Sequence, residues 1–169
     1  MPEIVFDCCV LSNFAVSRSL PVIKRMYGHS AVVTDFVMAE VRRGFQAGHN
    51  HLRLIQDALD EGWLEEASLL TKEERAVFRS LSVSLGLGEA SSISVAKVRG
   101  FLFACDDRTA RKEAGLLGIK LTGTLGILMK AVRERVIGFR DGDRILAGMK
   151  AGGYYSTIRS LRDIGDTRG

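Results

Sequence analysis

The stretch FLFACDDRTARKEAGLLGIKL (residues 101–121) carries the pattern that decides the fold. Its first five residues, 101–105, form an apolar run that is typical of a buried strand. Residues 109–117 are predicted to form a helix, and residues 119–121 return to an apolar strand pattern. A strand, a helix and a second strand in this order predict parallel pairing, because the connecting helix carries the chain back across the sheet.

The other segments continue this alternation of strands and helices. A strand EIVF is predicted to end at Asp7, a second strand covers Ala31–Val33, and a short strand is expected within GWLEEASLL (residues 62–70). Helices are predicted over about residues 11–17, 21–27, 34 or 35 to 44, 50–59, 71–81 (opened by a capping box of Thr71 and Glu74), 89–99, and two segments after residue 122. We therefore expect an α/β fold, with a central parallel sheet flanked by helices.

Length and composition favour one domain. The 169 residues are 46% hydrophobic, which is enough for a substantial core, and we expect a single domain over residues 1–169. The three cysteines, Cys8, Cys9 and Cys105, fit a reducing compartment better than a disulfide framework and are expected to be small core residues. No membrane span or signal peptide is visible, so we expect a cytoplasmic protein.

Charge is distributed unevenly along the chain. Residues 1–96 hold 9 basic and 12 acidic side chains, a net charge of −3, whereas residues 97–169 hold 15 and 8, a net charge of +7. The basic half could bind a polyanion such as a nucleic acid. Solvated helix faces with unpaired arginines explain the same excess equally well, so charge alone leaves both interpretations open.

Acidic residues follow the predicted strands at the points where these strands end. Asp7 closes the first strand, and Asp106 and Asp107 close a later one. Because the carboxyl ends of parallel strands share one edge of the sheet, we expect these acids at the same crevice. Glu40 lies on the helix after the second strand, and Glu89 opens a later helix near one end of the sheet.

Most of these acids also have an ordinary structural explanation. Glu89 suits the first turn of a helix, where the macrodipole favours negative charge. Glu40 could pair with Arg42 or Arg43 on its own helix, and Asp107 or Thr109 could cap the helix that follows the predicted strand of residues 101–105. These alternatives weaken the case for any single acid at a functional site.

Asp7 is the hardest acid to explain structurally, because a carboxylate that closes an apolar strand is costly unless it is hydrogen-bonded, paired or metal-bound. Several acids at one crevice repel one another unless a cation neutralises them. All-oxygen ligation suits Mg²⁺ or Mn²⁺, which keep bound waters and accept phosphate oxygens. The residues themselves therefore favour a divalent cation at the acidic crevice.

The two adjacent aspartates are expected to have different roles, one towards the metal and one as a helix cap, because neighbouring residues of an extended chain point to opposite sides. Asp106 continues the strand into the crevice and is the favoured metal-side acid. Asp107 lies where the chain turns and is the favoured helix cap, although it remains the alternative for the metal-side role.

Four elements in this order resemble a known family. Asp7 is followed by AEV with Glu40, by LGLGEASSISVA with Glu89, and by FLFACDDRTARKEAGLLGIKLTGTLGIL with both later aspartates. This order is similar to that of the PIN-domain nucleases, in particular the VapC-like toxin subgroup with GEA, DDR and GTLGIL elements. The similarity covers residues from about 4 to 153, which we take as the core of the domain, followed by a short C-terminal extension.

The resemblance implies a metal-dependent endoribonuclease with one or two Mg²⁺ or Mn²⁺ ions, held by Asp7, Glu40, Glu89 and Asp106 or Asp107. It also implies the toxin of a type II toxin–antitoxin pair, with an RNA substrate, a small antitoxin protein as partner and a homodimeric state. A nuclease-derived RNA-binding or scaffold domain without cleavage is the main alternative. A phosphatase-like hydrolase on a similar sheet lacks the expected nucleophile pattern.

Further expectations concern the residues around the acids. Many relatives carry a small hydroxyl or amide residue where this chain has Cys9, and Ser12 and Asn13 are candidates to replace it. The cations that open the helix beside the acid pair are expected to contact RNA phosphates, namely Arg108, Arg111 and Lys112. The three histidines lie in predicted loops or helix starts, HNH (residues 49–51) is expected to be a solvated stretch, and GLG at residues 86–88 is expected to be a turn.

Overall fold

A five-stranded, all-parallel sheet forms the centre of the computed structural model, which describes residues 3–165. Its strands follow the order β3-β2-β1-β4-β5. Their bounds are β1 (Ile4–Phe6), β2 (Ala31–Thr34), β3 (Leu64–Ala67), β4 (Leu102–Ala104) and β5 (Leu121–Thr122). The predicted α/β fold with a central parallel sheet is therefore confirmed, and β1 lies in the middle of that sheet.

Helices cover both faces of the sheet. Their bounds are α1 (Cys8–Val16), α2 (Leu20–Tyr27), α3 (Asp35–Gln46), α4 (Arg53–Asp60), α5 (Lys72–Leu81), α6 (Leu87–Arg99), α7 (Arg108–Leu116), α8 (Thr124–Arg133), α9 (Phe139–Ala151) and α10 (Arg162–Gly165). A 3₁₀ turn, Asn50–Leu52, precedes α4. Among residues 3–165, no helix has the length and apolar character needed to cross a membrane.

The central strand is buried on both sides. Ile4 and Phe6 belong to the larger core, which they share with α1 to α4, α8 and α9. Val5 points the other way and packs with Phe103 in a second core beneath α5, α6 and α7. Burial on both faces explains why this strand has an unbroken apolar sequence instead of an alternating one.

Several helix boundaries differ from the prediction. Helix α1 begins at Cys8 instead of near residue 11, because a single extended residue, Asp7, connects it to β1. Helix α3 continues past Gly44 to Gln46, and a Cβ at Gly44 would lie 2.4 Å from Cδ1 of Leu52. This glycine therefore admits a neighbouring side chain and does not end the helix.

Two further bounds differ, and one local signal is confirmed. Helix α6 begins at Leu87, so Gly88 lies inside its first turn and not in the predicted GLG turn. Strand β5 covers Leu121–Thr122 instead of residues 119–121. The capping box is present as predicted, with Thr71 and Glu74 each bonding to the other's backbone N–H.

The strand order reverses direction between β1 and β4. The chain runs from β1 to β2 and β3 on one side, and then returns to β4 and β5 on the other side. Ligands of open parallel sheets bind in the crevice at such a switch point, outside the carboxyl ends of the strands. Asp7 follows β1 and Asp106 follows β4, and the N–H of Asp7 donates to the carbonyl of Ala104 at 2.9 Å. The fold therefore brings the two strand ends, each with its acid, to one crevice.

Candidate active site

Asp7 is a buried carboxylate at the centre of the crevice. The residue is 2% exposed, and its side chain does not cap α1, although it occupies the N-cap position. The thiol of Cys105 lies 3.7 Å from Oδ2 of Asp7. Burial raises the pKa of Asp7 to about 7, and repulsion from the carboxylates of Glu89 and Glu40 adds to this rise. The structure therefore brings these three acids together.

The backbone of α6 orients Glu40. The N–H of Gly88 donates to Oε1 of Glu40 at 3.2 Å. A Cβ at Gly88 would lie 2.6 Å from the same oxygen, so any side chain at this position would force the carboxylate of Glu40 to move. The alternative ion pair with Arg42 is not formed within residues 3–165, because Arg42 pairs with Glu66 at 3.3 Å.

Glu89 lies close enough to both Glu40 and Asp107 for their charges to act on it. It lies in the first turn of α6 and is partly buried. Burial is the main cause that raises its pKa, and the negative charges of Asp107 and Glu40 raise it further. A backbone hydrogen bond at Gly86 has the opposite, smaller effect. Glu89 therefore lies among several like charges. The helix macrodipole favours an acid at this position, but it does not explain why the other acids are close by.

Asp107 is the N-cap residue of α7. Its Oδ1 accepts a hydrogen bond from the N–H of Ala110 at 2.8 Å, which confirms the predicted cap. Asp107 is also exposed, and its charge raises the pKa of Glu89. The same side chain therefore caps a helix and borders the acidic crevice.

Asp106 is held by hydrogen bonds that the sequence did not predict. Thr124 donates to it twice, from its backbone N–H to Oδ1 at 2.9 Å and from its hydroxyl to Oδ2 at 2.6 Å. Asn13 donates to Oδ2 at 3.3 Å, and a Cβ at Gly123 would lie 2.6 Å from Oδ1. Asp106 thus joins the end of β4 to α1 and α8, and its role towards a metal stays a prediction.

The sulfur of Cys9 lies among the carboxylates. The prediction that all three cysteines are core residues is wrong for Cys9, which is exposed, whereas Cys105 is buried and Cys8 is half-buried. The environment raises the pKa of Cys9 to about 12; loss of water contacts contributes most, followed by nearby acids. These acids are Asp7, Asp106, Glu89 and Glu40. Cys9 is therefore an exposed residue of α1 on which the charges of the crevice acids act.

The basic residues of α7 differ in whether their side chains are free to contact a ligand. Arg108 and Lys112 are exposed and form no ion pair within residues 3–165. Arg111 donates from Nη1 to the carbonyls of Cys105 at 2.7 Å and Thr122 at 2.8 Å. Arg111 therefore ties together the ends of β4 and β5, and contact of all three cations with RNA stays a prediction.

The residues expected to replace the missing polar group point in different directions. Asn13 reaches Asp106 and also donates to the hydroxyl of Thr124 at 3.1 Å. Ser12 instead lies 3.0 Å from Nε2 of His51, so this histidine is not simply solvated as predicted. Burial and the neighbouring His49 lower the pKa of His51.

The chemistry of the crevice suits a hydrated divalent cation. No group of three or more His, Cys, Asp or Glu side chains is arranged to hold a metal ion directly within the part of the chain that the structure describes. The donors are carboxylate oxygens, and Asp7 is a buried acid surrounded by like charge. Mg²⁺ keeps several waters and commonly binds through one or two carboxylates together with substrate phosphates. The residues present therefore fit an ion that keeps part of its water shell.

A comparison with protein families identifies this arrangement. A family model described as a PIN domain matches residues 3–166. The chain belongs to the PIN-domain family. PIN domains are generally nucleases and typically use divalent metals, which agrees with an acidic crevice at the strand ends. A search of curated proteins found no match.

Two residues of the PIN domain, Gly88 and Thr124, were not recognised as site residues from the sequence, and the contact that Asn13 makes was not predicted. Gly88 shapes the position of Glu40, and Asn13 and Thr124 hold Asp106. The signals that could have found two of them are the GEA and GTLGIL elements, which contain Gly88 and Thr124. Asn13 was a candidate because it lies close to Cys9, but its bond to Asp106 was not predictable, because the two residues are 93 apart along the chain.

Proposed function

We propose that this PIN domain is a metal-dependent endoribonuclease that cleaves RNA phosphodiester bonds with Mg²⁺ or Mn²⁺. The observation that carries the proposal is the convergence of Asp7, Glu40 and Glu89 outside the ends of the central strands. Asp7 is 2% exposed and has a pKa raised to about 7. Such a group of acids is costly for the folded protein unless a cation shares the site, so the arrangement supports metal binding.

Each acid would have a distinct part in holding the ion. Asp7 and Glu89 present carboxylates whose mutual repulsion a cation would relieve. Glu40 is already oriented by the N–H of Gly88. Asp106 or Asp107 would complete the set from the end of β4. When bound, the metal would lower the pKa of a coordinated water and stabilise charge on the leaving oxygen.

The RNA strand would reach the crevice along α7. Arg108 and Lys112 are exposed beside Asp107, at the helix end where backbone N–H groups attract anions. We propose that both contact phosphates of the substrate. Arg111 supports the proposal indirectly, because its bonds to two carbonyls fix the strand ends from which the acids project.

We further propose that the protein is the toxin of a type II toxin–antitoxin pair, as in the VapC-like subgroup with GEA, DDR and GTLGIL elements. The proposal includes a small antitoxin partner, a homodimer and a cytoplasmic location. It predicts that induced expression arrests growth and that co-expression of a small neighbouring reading frame relieves the arrest. A monomer in light scattering at high micromolar concentration would count against the dimer.

An RNA-binding or scaffold domain without cleavage activity is the second candidate. It is favoured by the lack of a direct three-donor metal group within residues 3–165 and by Cys9 at the crevice. A thiol provides a poorer ligand for Mg²⁺ than a hydroxyl or amide oxygen. This candidate predicts RNA binding that neither requires nor responds to a divalent cation.

Cleavage of single-stranded RNA separates the two candidates. Purified wild-type protein should cut members of a broad RNA panel with Mg²⁺ or Mn²⁺, and excess chelator should abolish cutting. Asp7→Asn should remove activity while the protein stays folded, as judged by circular dichroism. RNA binding without cleavage under any metal condition would favour the scaffold candidate, and full activity in chelator would defeat the metal mechanism.

A further inference from the structure

The segment of residues 152–161 folds back after α9 and is fixed at both ends. At its start, the N–H of Tyr154 donates to the carbonyl of Met149 at 3.0 Å. At its end, Asp143 accepts hydrogen bonds from the hydroxyl of Ser160 at 2.8 Å and from the N–H of Leu161 at 2.7 Å. Leu161 is fully buried. The segment is therefore an anchored part of the domain.

This anchored segment borders the crevice. A Cβ at Gly152 would lie 2.7 Å from both methyl groups of Val16, which places the start of the segment against the end of α1. Asn13 lies one helical turn before Val16 and donates to Asp106. Burial raises the pKa of Tyr154 to about 12, and the nearby Asp106 carboxylate adds to this rise. The start of the segment therefore packs on the helix that contacts the acid at the end of β4, and the charge of this acid acts on Tyr154.

Two adjacent tyrosines and a cation of this segment are available to a ligand. The hydroxyl of Tyr154 forms no hydrogen bond with any residue in the range 3–165 that the structure describes, so it can donate a hydrogen bond to a ligand. Tyr155, the next residue along the chain, is 84% exposed. Arg159 is exposed and makes no ion pair within the same described range.

We infer that Tyr154, Tyr155 and Arg159 form a binding ledge for single-stranded RNA, on which an unpaired base of the bound strand stacks on Tyr155. Arg159 contacts a phosphate of the same strand, and the Tyr154 hydroxyl donates a hydrogen bond to the strand. Aromatic faces combined with cations are the usual means of binding single strands, because every base has a face that can stack. The inference rests on the proposed function, since it names the strand that the acidic crevice would cleave.

Binding in metal-free buffer tests the ledge without requiring cleavage. The probe is a short single-stranded RNA that carries the fluorescent base 2-aminopurine, whose emission falls when it stacks. Tyr155→Ala should weaken binding about tenfold, the loss expected for one stacked base, and should abolish the quenching. Tyr155→Phe should retain both, because its ring can still stack. Phe45→Ala is the control, since Phe45 is another exposed aromatic residue, at 40%, on α3.

The outcomes separate the ledge from the nuclease proposal. Unchanged affinity and quenching in Tyr155→Ala would overturn the ledge, even if the wild type cleaves RNA. Tyr155-dependent binding by a protein that cleaves nothing would support the ledge and leave the scaffold candidate in place of the nuclease. A wild type that binds no single-stranded RNA would also overturn the ledge. An equal loss in Tyr155→Phe would overturn stacking as its basis.

Discussion

Gly88 is the residue on which the orientation of Glu40 depends most directly. Its N–H holds the carboxylate, and a Cβ in its place would lie 2.6 Å from Oε1. We expect Gly88→Ala to displace Glu40 and to lower the cleavage rate roughly 100-fold, as small misplacements of catalytic groups do. Metal-dependent RNA cleavage measures the effect.

The matched control for this substitution is Gly115→Ala. Gly115 lies in α7, and a Cβ there would have no neighbour within 4 Å. This variant should keep full activity and gain a little stability, because alanine restricts the unfolded chain more than glycine does. Full activity in Gly88→Ala would show that cleavage does not need the orientation of Glu40 that the Gly88 N–H fixes.

Asp106 and Asp107 should differ in their contributions to stability. Asp106 accepts three hydrogen bonds from Thr124 and Asn13, so Asp106→Asn should lower the free energy of unfolding by roughly 1.5–3 kcal/mol, the range for hydrogen bonds to charged groups. Asp107→Asn should cost less, because asparagine caps helices about as well as aspartate. Urea unfolding measures both, and equal stability of Asp106→Asn and wild type would contradict this assignment.

Individual residues were predictable where their role depends on nearby sequence. The cap at Asp107 follows from its place just before a helix, and the sequence placed Asp7 at the end of an apolar strand. The bonds of Asp106 and Arg111 were not predictable, because their partners become neighbours only once β4, β5 and α8 are assembled. Thr124, for example, lies 18 residues from Asp106 along the chain.

At the scale of elements, the junction of α5 and α6 should give a measurable pH dependence. Glu74 is 1% exposed and lies 2.6 Å from Nε of Arg99. Burial opposes its charge, but hydrogen bonds from Arg99, Thr71 and Leu70 outweigh that effect and hold its pKa below the ordinary value of 4.5. A lowered pKa stabilises the fold at pH above 4.5, and this stabilisation is lost as the pH falls through the pKa of the folded state.

Urea unfolding of the wild type and Glu74→Gln at several pH values measures this contribution. The difference in free energy of unfolding between them should be largest at neutral pH and should shrink on acidification. Glu73→Gln is the control, because Glu73 is exposed in the same helical turn. A difference that stays constant down to pH 3 would mean that the charge of Glu74 contributes nothing.

Elements were predictable from local patterns, whereas their arrangement was not. The capping box at Thr71 and the strand–helix–strand pattern of residues 101–121 both appear in the structure, with bounds shifted by a few residues. The central position of β1 depends on the side to which the chain returns after α5 and α6. No local sequence pattern indicates on which side of β1 the chain adds β4.

At the scale of the whole molecule, the excess of positive charge in residues 97–169 should appear in the salt dependence of RNA binding. Replacing Arg108 and Lys112 with alanine should reduce the slope of log affinity against log salt by roughly 1.4, which is about 0.7 for each lost contact with a single strand. Lys24 and Arg53 provide the control pair, since each forms an ion pair elsewhere on the surface. An unchanged slope would assign the α7 cations to a solvated helix face.

Binding of Mn²⁺, followed by electron paramagnetic resonance, tests the central claim most directly, namely that the acids at the strand ends hold a divalent cation. Wild-type protein should bind Mn²⁺ in competition with Mg²⁺, and Asp7→Asn should lose this binding while remaining folded. Glu113→Gln, which removes a carboxylate elsewhere on α7, should bind Mn²⁺ as the wild type does. Mn²⁺ binding that persists unchanged in Asp7→Asn, or a wild type that binds no Mn²⁺, would contradict the claim.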